Sequence, residues 1–282
     1  MDDNHRSIER GAEALDEISK EKLTPEQQRY IERGYGVHQP VKPRLKVIKA
    51  SELKSRPIDW LLFSKIALGK TTLIAGDPGL GKSLITADIA ARVSTGRDWP
   101  ANGGKCPLGD VLMVSGEDDP ADTIRPRLEA AGADLTRVNI VDGVESIKPN
   151  GNTETRILSL RQDIEIIHEQ ALALPQCRVI IIDPISAYLD GADSHNNANV
   201  RGLLAPLSEL ARRIGAAIIL VTHLNKGAGG PALYRANGSL AFVAAARAAF
   251  VVARDKQDPV KQRATLSRLG METASNCFHL SV

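Results

Sequence analysis

Three scarcities narrow this 282-residue chain before any motif is read. Cysteine is rare: Cys106, Cys177 and Cys277 lie far apart, with no Cys-x-x-Cys spacing and no Cys/His cluster. Neither a zinc site nor a disulfide framework is therefore expected, and the thiols read as buried or incidental. Long apolar runs are missing as well. Nothing approaches the roughly 18–20 residues that cross a bilayer. The opening MDDNHRSIER has neither the apolar stretch of a signal peptide nor the acid-poor bias of a transit peptide. A soluble, cytoplasmic protein is expected. Finally, no charge of one sign dominates: 36 Lys and Arg stand against 34 Asp and Glu, a net +2, so any nucleic-acid surface has to be local. What is abundant is apolar residue, 43% of the chain in mixed periodicities, which excludes collagen, a coiled-coil rod and a wholly disordered chain. The length suits one α/β domain with a tail.

Residues 1–36 carry six basic and nine acidic side chains with widely spaced Leu and Ile. Such a stretch buries too little apolar area to offset its ordering entropy, and it reads as a frayed helix or disordered arm. Residues 37–56 switch sign, with six basic residues against Glu52, and Pro40, Pro43 and Pro57 punctuate the region. This is a solvated basic linker or one that touches nucleic acid. The expected division is thus a charged arm and linker over 1–57, a folded domain over 58–255 and an atypical segment over 256–282.

From Ile58 short apolar runs alternate with helical stretches. Strands are expected at Thr71–Ala75, Val111–Ser115, Val138–Val141, Val179–Ile182, Ala216–Thr222 and Ala248–Val252. Helices are expected near Ser83–Val93, Asp122–Ala131, Glu154–Leu172, Asn199–Ile214 and Leu240–Ala246. Continuous apolar strands are buried on both faces, and their alternation with helices implies βαβ units. The expected fold is a three-layer α/β domain around a mostly parallel sheet.

Between the first strand and the first helix lies Gly76-Asp77-Pro78-Gly79-Leu80-Gly81-Lys82-Ser83, a complete G-x-x-x-x-G-K-S. Its glycines let backbone N–H groups turn inward around phosphate oxygens, and the helix N-terminus adds its positive dipole. ATP would rest on Gly76 through Ser83 and on Leu84. Lys82 would reach the β and γ phosphates, and the Ser83 hydroxyl would coordinate Mg²⁺. Val179-Ile180-Ile181-Ile182-Asp183 is an apolar strand ending in an acid, which suits Asp183 to the Mg²⁺ shell through water.

P-loop hydrolases need a group that orients the attacking water. The residue after Asp183 is Pro184, which cannot serve. The alternative is Glu117, just beyond Val111–Ser115. A strand next to the P-loop strand would set it across from the γ-phosphate position. Glu117, Asp118 and Asp119 could instead be loop acids capping the following helix. His223 follows the strand Ala216–Thr222, where a polar residue can sense the γ-phosphate and report hydrolysis to the adjoining loop.

These motifs, with Asp59-Trp60-Leu61-Leu62, SGEDDPADTIRPRL, VIIIDPISAYL, DSHNNANVRGLL, VTHLNK and GSLAFVAAARAAFVVARD, cover about 70% of the chain. Over Ile58 to Asp255 the chain resembles the RecA-fold ATPases of the AAA family, in the branch of the plasmid replicative helicase RepA and of phage and mobile-element ATPases. The resemblance implies a RecA-like core, Glu117 as catalytic carboxylate and His223 as sensor. It implies that Arg247 enters the neighbouring subunit's site in a ring, possible hexamers included, with Arg254 or Arg235 as substitutes. Arg247 stands alone in VAAARAAF, where burial would demand an anionic partner, so a salt bridge within one subunit is the other reading.

Single-stranded DNA is the implied partner, met by two pore loops: 190–200 with His195, Asn196 and Asn197 and with Arg201 behind it, and 226–237 with Tyr234 and Arg235. Replication proteins are further implied partners. Beyond Asp255 closing strands are expected, yet 256–282 shows only a faint one at Ala264–Leu266 and reads as truncated. Two functions follow: a Mg²⁺-dependent ATPase that moves on or unwinds DNA during replication of a mobile element, or an ATP-dependent switch or assembly factor with little turnover. A small-molecule kinase is weaker, for no acceptor pocket or lid is visible.

Overall fold

The computed structural model describes residues 45–100, 103–148, 151–189, 197–224, 240–254, 264–268 and 277–280. The chain divides into two units, Met1–Arg56 and Pro57–Val282. Of the first, residues 45–56 form no strand or α-helix and have one short turn at Ala50–Glu52, and Leu45, Val47 and Leu53 are exposed.

The second unit opens with a small hairpin, β1 (Trp60–Leu62) and β2 (Ile66–Ala67). Then come β3 (Thr71–Gly76), α1 (Lys82–Thr95) and β4 (Asp110–Ser115). A wide π-type turn at Pro120–Ile124 runs into α2 (Arg125–Ala130), followed by β5 (Val138–Val141). A second hairpin, β6 (Val144–Ile147) and β7 (Thr153–Arg156), precedes α3 (Ile164–Ala173) and β8 (Cys177–Asp183). The remaining elements are α4 (Asn197–Ile214), β9 (Ala217–His223), α5 (Leu240–Ala245), β10 (Ala248–Arg254), β11 (Ala264–Arg268) and β12 (Cys277–Leu280).

One sheet runs in the order β12-β11-β10-β3-β9-β8-β4-β5. The six strands from β10 to β5 pair in parallel, so their carboxyl ends share one edge, and β11 and β12 add antiparallel strands beyond β10. This is the expected mostly parallel α/β core. Alternation within each apolar strand supplies both faces. Ile74, Met113, Ile181 and Ile219 pack with Ile85 and Ile89 of α1. Leu73, Leu112, Ile180 and Leu220 pack on the opposite side with Leu203 and Leu207 of α4. Helix α4 buries Val200, Leu203, Leu204, Leu207, Leu210 and Ala211, a stripe at helical spacing that holds it on the sheet.

The structure corrects three readings. The strand β4 is not next to the P-loop strand: β9 and β8 intervene, because later strands of a parallel sheet can insert between earlier ones. The helix expected over Glu154–Leu172 begins only at Ile164. Thr153–Arg156 pairs with Val144–Ile147 instead, and its Thr-Glu-Thr-Arg alternation suits a strand. The reversal into α3 is locked by Asp163, 1% exposed, which accepts Arg156 Nη1 and Nη2 at 2.7 and 2.6 Å and the Ser159 N–H at 2.8 Å. Those bonds from Arg156, with the Ser159 amide, hold the Asp163 carboxyl below the ordinary range. Third, Cys277–Leu280 forms a strand that its four residues did not announce.

Asp163→Ala leaves the Arg156 guanidinium and a buried N–H without their acceptor, so it should cost about 2–3 kcal/mol in urea unfolding. Glu154→Ala, which removes only an exposed pair with Lys148, should change stability by less than about 0.5 kcal/mol.

Candidate nucleotide site

The P-loop strand ends where backbone crowding demands glycine. A Cβ on Gly76 would stand 2.8 Å from the carbonyl oxygen of Val252, its register partner on β10. Gly81 caps α1 with φ 79°, in the left-handed region open to glycine at little cost. The turn between them delivers Lys82 into the loop, 5% exposed, where its Nζ donates to the carbonyls of Gly76 and Asp77, each at 2.9 Å. Burial pushes the Lys82 pKa down, opposed by the carboxylates of Asp183, Asp77 and Glu117. A cation held this way has carbonyl partners that an incoming anion can replace.

Strand parity decides what shares the P-loop side of the sheet. Asp183 follows the phase of Val179 and Ile181, and His223 that of Ala217 and Ile219, all on the face covered by α1. Thr86, one turn beyond Ser83, donates to Asp183 Oδ2 at 3.3 Å. Desolvation raises the Asp183 pKa, while hydrogen bonds from Ser83 and Thr86 and the charge of Lys82 pull it down. Ser83 and Asp183 are therefore in contact, as a shared metal shell requires, and the loop with its inward lysine fits the phosphates of a nucleotide. Thr86 was not anticipated from the sequence. Its position one helical turn after the motif serine is the signal that could have revealed it.

The three acids after β4 take separate paths. Asp119 caps the π-type turn, accepting the N–H groups of Ala121 and Asp122 at 2.7 and 3.0 Å, bonds that lower its pKa. Asp118 pairs with Arg127 at 2.5 Å. Glu117 turns to the tip of β9, its Oε2 3.6 Å from His223 Nε2. Although two strands separate β4 from β3, Glu117 thus stands within electrostatic reach of Lys82. Behind it lies Tyr188, a second residue the sequence did not single out. It is buried, its hydroxyl fills the place a Cβ on Gly116 would need, and burial with the charges of Asp183 and Glu117 pushes its pKa up to about 12.

Arg247 lies elsewhere. It precedes β10, and its N–H donates to the carbonyl of Thr71, where β3 begins, so it occupies the edge opposite the P-loop. Its side chain is exposed and has no ion pair among the described residues. The expectation of a buried charge needing a partner is corrected, because the apolar run places alanines, not Arg247, against the sheet. Arg254 ends β10 near the P-loop edge. Arg235, Tyr234, His195 and Asn196 lie outside the described residues, as do most of both pore loops. Burial pushes Cys106 and Cys177 up to about 12, consistent with inert thiols. No helix among the described residues is long and apolar enough to cross a membrane.

Comparison with known proteins gives the chain its relatives. A family model described as an AAA domain matches residues 39–229. The DNA repair protein RadA of Streptococcus pneumoniae (strain ATCC BAA-255 / R6) is 30% identical over 179 residues, 64% of this chain and 36% of RadA. RadA of Mycobacterium tuberculosis (strain ATCC 25618 / H37Rv) is 29% identical over 173 residues, 60% of this chain and 30% of that protein. DNA repair protein RAD51 homolog 4 of Mus musculus is 27% identical over 182 residues, 60% of this chain and 50% of the mouse protein. The chain therefore matches between about a third and a half of these relatives.

Because burial raises the Asp183 pKa, the folded chain retains that proton to a higher pH than the unfolded one. The contribution favouring the fold is full below the unfolded value and is lost as pH rises through the folded value. Asp183→Asn removes this dependence. The variant should melt together with the parent at acidic pH and above it at neutral pH. Scanning calorimetry across that range checks the divergence.

Proposed function

Since the chain belongs to the AAA domain family and has a RecA-like P-loop core, we propose that it is a Mg²⁺-dependent ATPase acting on DNA. The observation that carries this reading is the convergence of Lys82, Asp183, Glu117 and His223 at one sheet edge. In this reading Gly76, Asp77, Pro78, Gly79, Leu80, Gly81, Ser83 and Leu84 cradle the phosphates. Ser83 and Asp183 hold Mg²⁺, which supplies charge neutralisation at the phosphates. Lys82 exchanges its loop carbonyls for phosphate oxygens and so is released from an internal pair of bonds only when nucleotide arrives.

Glu117 orients a water and accepts its proton, as its exposed position at the site's open side allows. His223 bridges Glu117 to the tip of β9 and relays the state of the site to the loop that follows. Arg247 serves hydrolysis in trans. Strand β3, six residues and roughly 17–20 Å long, separates it from its own P-loop. Its partner is thus a second copy in a ring, and a trans arginine is worth about 10³–10⁵ in rate. The DNA repair relatives favour DNA as the target; the finer reading is a RepA-like helicase or translocase, with single-stranded DNA as its track, in replication of a mobile element.

ATP turnover with and without single-stranded DNA tests this reading. The parent should show several-fold stimulation, and Lys82→Ala should abolish nucleotide binding. Glu117→Gln should bind ATP normally while kcat falls by about 10²–10⁴. Mixing Lys82→Ala with Arg247→Ala subunits should restore turnover that neither has alone. Normal turnover in Glu117→Gln would refute the choice of base, and tight ATP binding with negligible turnover on any DNA would shift the function to a switch.

A further inference from the structure

The outer flank of α4 carries a second feature that the nucleotide site does not use. While its buried stripe faces the sheet, Arg201, Ala205, Ser208 and Arg212 recur at helical spacing along the exposed side. They form one wall of a groove of about 720 Å³, whose other wall is the carboxyl end of α5 with Lys70 and Arg247. Four cations thus face a single carboxylate, Glu209, which already pairs with Arg212. Lys70, Arg201 and Arg247 are exposed and make no ion pair among the described residues.

Three properties identify the ligand. Unpaired cations converging on one groove repel each other and are relieved by an anion. From Arg201 to Arg212 the helix rises about 16 Å, long enough for successive phosphates of one strand to follow it. The remaining wall is alanine, with no aromatic lining the groove among the described residues, so bases have no stacking platform and the contact is to backbone. The hydroxyls of Thr71 and Ser208 already donate to the carbonyls of Ala245 and Leu204, which leaves recognition to charge.

We propose that the groove between α4 and α5 binds the phosphate backbone of single-stranded nucleic acid, without regard to sequence, through Lys70 and Arg201, with Arg212 joining them from its pair with Glu209. The residues that line it lie outside the two loops at 190–200 and 226–237 in sequence. The identity of the polymer rests on the DNA-acting reading above, whereas the preference for a polyanion rests on the groove itself. Arg247 stands at its foot, where the groove adjoins the surface assigned to a neighbouring copy. The alternative occupant is that copy's triphosphate.

The test is anisotropy of labelled oligothymidylate with the full chain, titrated with salt in the absence of nucleotide. ATP binding and turnover without DNA are measured in parallel. Lys70→Ala/Arg201→Ala should bind at least about tenfold more weakly, and its slope of log K against log salt should be shallower by about 1.4, two contacts at ~0.7 each. Arg201→Lys should retain the parental slope, and an unchanged melting temperature excludes misfolding. An unchanged affinity and slope in the double variant, or no binding by the parent, overturns the proposal. Loss of DNA-free turnover with intact DNA binding also overturns it, in favour of the neighbour's triphosphate. Failure of the parent to bind ATP would instead strike the proposed function and leave the salt slopes readable.

Discussion

Parallel pairing of six strands is the constraint on which the rest of this molecule depends. Because every strand from β10 to β5 points the same way, all their carboxyl ends, and the polar residues that terminate them, arrive at one edge. Gly76 is level with His223 on one side and Val252 on the other, and Ser115 is level with Asp183. The site is assembled by this alignment. Its cost is that the sheet must be covered on both faces, which the two apolar clusters accomplish.

The same polarity separates charge. The carboxyl edge gathers Asp77, Asp183 and Glu117 around Lys82, and the amino edge presents Lys70 and Arg247 beside the arginines of α4. A carboxylate such as Asp183 is poorly solvated where it stands, and a cation such as Lys82 is held by carbonyls it can give up. Neither arrangement maximises stability. Both suit the nucleotide and metal that the proposed function assigns to this edge.

Elements that stand close to the P-loop need not be close in strand order. Glu117 reaches His223 because β4 ends at Ser115 and is followed by Gly116, which lies tight against Ala187 and Tyr188. The side chain after such a glycine can lean across β8 toward β9. Tyr188 packs against Gly116, and Thr86 bonds to Asp183 from one helical turn beyond the motif serine. The place of Tyr188 comes from packing, which no local pattern announces.

The sequence by itself determined the strands of the parallel sheet, the phosphate loop and the acids that could serve it, because buried strands are continuous apolar runs and a phosphate loop needs glycine at fixed intervals. It also determined which face Asp183 and His223 occupy, through the two-residue period of each strand. Tertiary structure alone decided strand order, and with it the separation of β4 from β3, since order depends on which buried surfaces fit together rather than on local pattern. It likewise turned Glu154 from an expected helix into a hairpin, through the long-range pairing of β6 with β7 and the buried Asp163 anchor. And it alone placed Arg247 at the far edge with Arg201 and Lys70, because a groove between elements distant in sequence exists only after the chain has folded.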